Sequence, residues 1–410
     1  MKKTVVFILL ITVSITAFCQ HIFPIVPGAE RLELYLPMLK GKSVAVFANQ
    51  TSTVKNTSLV DTLLSRGINI VKIFGPEHGF RGDADAGEEF SNAVDKKTGI
   101  PIISLYGAHK KPTPEDLKDV DVIVFDVQDV GIRFYTFISS LEYCLDAAFE
   151  NHRQFILLDR PNPNGFYIDG PVLDPKFKSF VGMQPVPIVY GMTMGEYASM
   201  LIGEKWLSAE ANINASAKRT DSDASAPFIV IRCKNYTHNS KYILPVMPSP
   251  NLKEMQAIYT YPSTCFFEGT VMSEGRGTDK PFEIFGHPTL PDTLYSFTPK
   301  PNAGAKTSKC FYQQCYGWNI SGTTEEVLKK LDGKIQLKYL LDAYQLFPGK
   351  DSFFLKTNFF NSLAGNDILM KQVKEGKTEA EIKKSWEPGL EDFKKIRKKY
   401  LLYRDFTSPN

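Results

Sequence analysis

Hydrophobic and polar positions follow two distinct periods along the first half of this chain. Short apolar runs at Lys42 to Ala48, Ile68 to Phe74, Pro101 to Leu105, Asp121 to Phe125, Gln154 to Leu158 and Phe228 to Ile231 read as strands buried on both faces. Helical patterns separate several of them: Thr57 to Ser65 with Asn56 as its cap, Pro114 to Leu117, Thr136 to Phe149, and Thr193 to Leu207. Strands alternating with helices predict parallel βαβ units with right-handed crossovers, an α/β fold. Asn212 to Pro227 is rich in Ala, Ser, Asp and Thr and reads as an exposed connection. The prolines between Pro245 and Pro250 suggest a seam, dividing the chain into residues 24–250 and 251–410. Past the seam, Cys265 to Phe267 reads as an aromatic strand. Helical patterns follow at Thr324 to Asp332, Gln336 to Phe347 and Glu391 to Leu402, the last basic and expected on the surface.

Composition narrows the class. At 410 residues, the chain is long enough for two domains. Hydrophobic residues at 43% and charged residues at 23% fit a globular protein and exclude wholesale disorder. A net charge of +3 is too small to point to nucleic acid as a partner. The N-terminus reads as an export signal over residues 1–19. Lys2 and Lys3 precede an apolar segment from Val5 to Ile15, and Ala17-Phe18-Cys19 gives a small-x-small cleavage pattern. The rival reading is a lipid-modified Cys19, and bulky Phe18 argues against it. No stable membrane insertion is expected, and the mature chain is placed in a periplasm-like or extracellular space. Cys144, Cys233, Cys265, Cys310 and Cys315 show no zinc or redox spacing. Cys310 and Cys315 suit either a local disulfide or buried free thiols.

Candidate chemistry collects where the strands stop. About five of them finish in polar, Gly/Pro-punctuated loops, and a parallel sheet brings such loops to one rim, where ligands bind. The loop Gly75-Pro76-Glu77-His78-Gly79-Phe80-Arg81-Gly82 presents Glu77 as a general acid, with His78 or Arg81 to tune it. A metal site built from Glu77, His78 and the acidic tail Asp83 to Glu89 lacks zinc and EF-hand spacing. Asn49 and Tyr106 follow two other strands. In Asp126 to Tyr135, alternation places Asp126, Gln128 and Arg133 toward the crevice, with an Asp129–Arg133 ion pair as the competing structural reading. Asp159, Arg160 and Asn162 open a rigid, amide-bearing loop suited to sugar hydroxyls and acetamido groups. Glu268, Glu274 and Arg276 lie in a glycine-rich stretch, where Arg276 suits a substrate carboxylate. The first strand is followed by Asn49-Gln50-Thr51, with no glycine fingerprint, so no dinucleotide cofactor is expected. No Gly-x-Ser-x-Gly elbow occurs.

Together these stretches resemble the exo-β-N-acetylmuramidase (NamZ-like) family. The likeness is carried by Gly75-Pro76-Glu77-His78-Gly79, Asp126 to Arg133, Asp159-Arg160-Pro161-Asn162-Pro163, Phe267-Glu268-Gly269-Thr270, Ser273 to Thr278, Leu363-Ala364-Gly365 and the closing Arg397 and Tyr400 to Tyr403. It covers nearly the whole mature chain. The resemblance implies a Rossmann-like parallel-sheet domain joined to a smaller C-terminal α/β domain, with the site in the cleft between them. It implies release of N-acetylmuramic acid from non-reducing ends of peptidoglycan glycan, with Glu77 as the essential glutamate. Glu268 and Glu274 are the candidates for a second carboxylate. The chain departs from the family where Val271 replaces an Asn after Phe-Glu-Gly-Thr. The lactyl carboxylate of muramic acid needs a cation, and Arg133, Arg160 and Arg276 are available. Glycosidases commonly use two carboxyls, although a substrate's 2-acetamido group can act as the nucleophile instead. The competing classes are a non-catalytic glycan-binding protein and a metal-dependent esterase of wall sugars.

Overall fold

The computed structural model of the chain describes residues 23–76, 79–80, 93–215 and 225–407. The strands, in chain order, begin with β1 (Ser43–Ala48) and a short hairpin of β2 (Thr53–Val54) and β3 (Thr57–Ser58). They continue with β4 (Asn69–Gly75), β5 (Ala93–Val94), β6 (Pro101–Ser104), β7 (Val122–Asp126), β8 (Gln154–Leu158) and β9 (Phe228–Ile231). Seven of these form one sheet in the order β5-β6-β4-β1-β7-β8-β9. All its pairings are parallel except β5 on β6. The chain moves outward from β1 through β4 to β6, then returns to the far side of β1 as β7. The gap between the tips of β1 and β7 is therefore the topological switch point, where ligands of such sheets bind.

The sheet is buried on both faces, which is why its strands read as unbroken apolar runs. Val44, Val46 and Ala48 point into one core cluster, and Ala45 and Phe47 into the other. Phe47, Phe125, Phe155 and Phe228 form a ladder of rings across β1, β7, β8 and β9, with centroids 4.3, 5.8 and 6.2 Å apart. The helix Phe137–Glu150 covers this face and is buried on nearly all sides.

After the seam, β10 (Ile284–His287), β11 (Tyr295–Phe297) and β12 (Cys315–Asn319) form an antiparallel sheet in the order β10-β12-β11. Helices Thr324–Leu331, Lys338–Leu346, Phe359–Ala364, Ile368–Lys374 and Glu379–Arg397 complete this smaller part. The larger core cluster runs without a break from the first sheet into it, joining Phe134 and Tyr135 to Tyr261, Phe266, Phe285 and Trp386.

Several expectations are corrected. Asn56 is not a cap: the helix spans Leu59–Ser65, with Ser58 before it still in the hairpin. The helix Ala209–Asn214 runs into the start of the expected connection, and residues 216–224 lie outside the described residues. Cys265 to Phe267 is no strand; it is a 3-10 turn, Cys265–Gly269, continuing the helix Met255–Thr264. Pro262 sits inside that helix and cannot donate to the Ile258 carbonyl four residues back. Asn164 Nδ2 reaches that carbonyl instead, at 3.3 Å. The closing basic helix begins at Glu379 and is not a surface element throughout. It buries Ile382, Trp386, Leu390, Phe393 and Arg397. Cys310 and Cys315 are free thiols.

Arg133 is also corrected. It does not face the crevice and makes no ion pair with Asp129. Its side chain is wholly buried, and its guanidinium donates to the carbonyls of Pro171 (2.8 Å), Val186 (2.8 Å) and Leu363 (2.9 Å). Asp129 instead accepts from Gly131 N at 2.6 Å and from the Tyr190 hydroxyl. Replacing Arg133 with Met strands the carbonyls of Pro171 and Leu363, whereas the Val186 carbonyl still accepts from Leu173 N. Each stranded group costs roughly 1–3 kcal/mol, so Arg133→Met is expected to lower stability by about 2 kcal/mol or more. Urea unfolding measures this, and a midpoint equal to that of the parent protein refutes it.

Candidate active site

The rim at the switch point is built from the polar residues that follow β1, β7 and β8. Asn49 Oδ1 accepts from both the amide and the hydroxyl of Thr51, at 2.9 and 2.6 Å. The Thr51 hydroxyl in turn accepts from Gln128 N at 2.9 Å, and Ser52 donates to the Asp126 carbonyl. The β1 and β7 tips are thereby stitched together. Asp126 is fully buried and binds Arg160 through both oxygens, at 2.5 Å to Nε and 2.9 Å to Nη2. Asn49 Nδ2 and Gln128 Oε1 are buried and have no partner among the described residues.

Segment 247–252 lies over this rim. Gln50 Nε2 donates to the carbonyls of Met247 and Pro248, and the Tyr135 hydroxyl reaches Pro248 O at 2.9 Å. The open space is displaced to one side, as a cleft of about 450 Å³ between the sheet and the smaller part. That size suits a small-molecule ligand. Tyr106, Tyr135 and Phe180 come from the sheet side, and Glu268, Glu274, Arg276 and Lys309 from the other. The Tyr106 and Phe180 rings lie 6.3 Å apart.

The charged wall is one connected cluster. Arg276 Nη2 donates to Glu268 Oε1, and Arg276 Nε lies 3.2 Å from Glu274 Oε1. Lys309 Nζ lies 2.8 Å from Glu274 Oε2. The guanidinium also sits 5.1 Å over the Phe282 ring. Burial works to raise the Glu274 carboxyl, but the charges of Lys309 and Arg276 outweigh it and hold the group below the usual range. Gly275 and Gly277 flank Arg276 in left-handed conformations, φ 82° and 81°, which L side chains rarely adopt. A Cβ on either would stand 2.5 Å from the Ile284 carbonyl or 2.7 Å from the Lys300 carbonyl. Arg276 is thus held on a turn that only these glycines permit.

Models of the N- and C-terminal regions of the exo-β-N-acetylmuramidase NamZ match residues 44–256 and 259–403. The chain belongs to the NamZ family. It is 39% identical over 395 residues to the peptidoglycan β-N-acetylmuramidase NamZ of Bacillus subtilis, covering 90% of this chain and 89% of that protein. It also resembles the crystal structure of a DUF1343 family protein from Bacteroides fragilis (TM-score 0.82, 45% identity, 93% of this chain and 100% of the other). A second DUF1343 family structure from that organism aligns with TM-score 0.75 and 28% identity over 93% of this chain and 99% of its own.

Of the residues that the sequence singles out, the cleft brings together Tyr106, Glu268, Glu274 and Arg276. Glu77, His78 and Arg81 lie outside the described residues; β4, which precedes them, ends at Gly75 on the rim beside β1. Asn49, Asp126, Gln128 and Arg160 form the buried bracing at the switch point. Asn162 is likewise buried, donating to Met192 O and accepting from Asn164 N. Val271, where the family has Asn, packs against the core and donates its amide to Phe353 O. Sequence reasoning missed Lys309, Phe180 and Tyr135 as lining groups. Lys309 stands in no motif, and only the fold carries it to Glu274.

Asp159 is buried beneath the helix Met194–Gly203. It accepts from Thr193 Oγ1 (2.7 Å), Gly195 N (2.9 Å) and the Tyr403 hydroxyl (2.6 Å). Burial dominates these bonds and pushes its carboxyl up to about 6. A raised carboxyl holds its proton longer in the folded state than in the unfolded chain. Its contribution is therefore greatest near pH 4 and is lost as pH rises to about 6, where the folded-state group ionises. The stability advantage of the parent over Asp159→Asn, which does not titrate, should shrink across that window. Thermal unfolding at pH 4, 5, 6 and 7 measures this, and an advantage that grows with pH contradicts it.

Proposed function

We propose that this chain is an exported, exo-acting β-N-acetylmuramidase. It releases N-acetylmuramic acid from the non-reducing ends of peptidoglycan glycan strands or muropeptide disaccharides, in cell-wall turnover and recycling. The observation that carries this reading is the cleft, where two carboxylates and two cations face aromatic rings in a member of the NamZ family. The basic head and apolar segment of residues 1–19 support export to the compartment that holds this substrate.

The chemistry assigns distinct roles. Tyr106 and Phe180 offer ring faces to the apolar faces of the sugar. Arg276, a planar fork that stays charged, pairs with the lactyl carboxylate. A general acid must begin the reaction protonated, and Lys309 and Arg276 keep Glu274 in the opposite state. Glu274 is then the anion that faces the positive charge developing at the anomeric carbon, or that orients the acetamido group. Glu77 gives its proton to the departing glycosidic oxygen.

Kinetics on a chromogenic β-N-acetylmuraminide tests the assignment. Glu77→Gln should cut turnover by roughly 10²–10⁴. Arg276→Met should raise KM for the muraminide far more than for the matching β-N-acetylglucosaminide, which lacks the carboxylate. Undiminished turnover by Glu77→Gln defeats the catalytic role. Absence of free N-acetylmuramic acid after incubating the parent protein with a muramic acid-terminated disaccharide defeats the function itself.

A further inference from the structure

Lys309 occupies an unusual place in the cluster. Its ammonium donates to the carbonyls of Phe267 (2.6 Å) and Thr270 (3.0 Å) and pairs with Glu274 at 2.8 Å. Those two carbonyls bracket Glu268 in the chain. Glu274 in turn holds Arg276. One ammonium therefore grips both ends of the segment that carries Glu268 and Arg276. The segment is also tied by backbone bonds, Val271 N to Phe353 O, Leu355 N to Gly269 O, Phe282 N to Glu274 O, and Ser273 with Gly286 in both directions, and by local bonds of the Thr270 and Ser273 hydroxyls. None of these reaches a side chain of the cluster.

The ammonium is also the cation that balances the cleft. Glu268 and Glu274 carry two negative charges, and Arg276 alone supplies one positive. The elements packed around Glu274 contribute Arg276, Lys309 and Glu268 as charged groups, with the buried Cys265 and the half-buried Cys310 as further titratable neighbours. Among the described residues, Lys309 brings the second positive charge. Cys310, the next residue, turns the chain at φ 58°, a left-handed conformation that non-glycine residues rarely adopt.

We infer that Lys309 is a positioning residue of this site: through its grip on Glu274 and on the carbonyls of Phe267 and Thr270, it fixes Glu268 and Arg276 in the cleft. It acts through those three groups and needs no contact with the sugar. The inference rests on the proposed muramidase reading for its kinetic consequences, but the positioning itself does not.

Lys309→Met keeps most of the apolar stem of the side chain and removes its charge and donors. Two measurements decide. The first is the pH–rate profile on the chromogenic muraminide. Without Lys309 the Glu274 carboxyl rises, so the ionised form is lost earlier as pH falls, and the acidic limb of the Lys309→Met profile moves to higher pH. Turnover at the optimum should drop by about 10²-fold, the effect of a misplacement near 1 Å, while Lys309→Arg restores part of it. The second is a crystal structure of the folded Lys309→Met protein, in which Glu268 and Arg276 leave their present positions. An unmoved acidic limb, or Glu268 and Arg276 unmoved in the variant, overturns the inference. Should Lys309→Met fail to fold, Lys309→Gln, which removes the charge and keeps a polar end group, gives the same two readings, with a displaced limb and a displaced cluster expected; parent-like values on both overturn the inference. A parent protein that cleaves no muraminide defeats the muramidase reading, and the crystal structure then still decides the role of Lys309.

Discussion

The cleft depends on one buried cation. Among the described residues Arg133 has no carboxylate partner; its two Nη groups donate to the carbonyls of Pro171, Val186 and Leu363, from three separate segments. Burial lowers it to about 9, which still leaves it charged at neutral pH. A planar fork can satisfy several carbonyls at once, whereas an ammonium is a point charge on a flexible stem. Leu363 belongs to the helix Phe359–Ala364, whose Phe360 ring lies 5.8 Å from Phe266 in the 3-10 turn bearing Glu268. The guanidinium thus sets the distance from the sheet to the carboxylate wall. Phe134 and Tyr135, its neighbours in sequence, line the opposite side of the same space.

A second brace closes the far end of the sheet. The C-terminal tail folds back so that the Tyr403 hydroxyl reaches Asp159, and Leu402 N donates to Glu196 at 2.8 Å. Glu196 also pairs with the fully buried His238 at 3.0 Å, and Arg397 donates to Gly191 O and to Asp405. With Asp126 committed to Arg160, the polar groups at the tips of β7 and β8 serve the interior. This explains why the cleft opens beside the switch point, over Tyr106 and Tyr135, and not directly above Asp126. Unpaired buried charge is costly, so residues of this kind cannot be freed for a ligand without a replacement partner.

Much of the sheet was legible because a strand buried on both faces must be apolar throughout; β8 and β9 match their runs to the residue. The helix Met255–Thr264 was hidden by Pro262, and its compensation by Asn164 comes from 94 positions away from Ile258, a link that no local pattern carries. Arg133 was misplaced because alternation tells which side of a strand a residue leaves from, not what waits for it. The run Glu268 to Arg276 was legible as chemistry from its charges and glycines. Lys309 was not, because its partners lie 39 and 42 residues earlier in the chain. What local sequence encodes here is the presence of charged groups; which of them are spent on bracing is decided by tertiary contacts.

That division bears on how two acidic residues six positions apart come to differ. Glu274 is nearly sealed from water and lies between Arg276 and Lys309, so its charge is fixed by position. Glu268 is more open, with 17% of its side chain accessible against 3% for Glu274, and shares only Arg276. Two carboxylates on one guanidinium would repel each other without further compensation. The ammonium of Lys309 relieves that repulsion on the buried side only, which fixes Glu274 as an anion in the cleft wall and leaves Glu268 more open to the solvent of the cleft. Environment, not residue type, has separated the pair, and it is such separation that lets neighbouring carboxyls take different parts in one reaction.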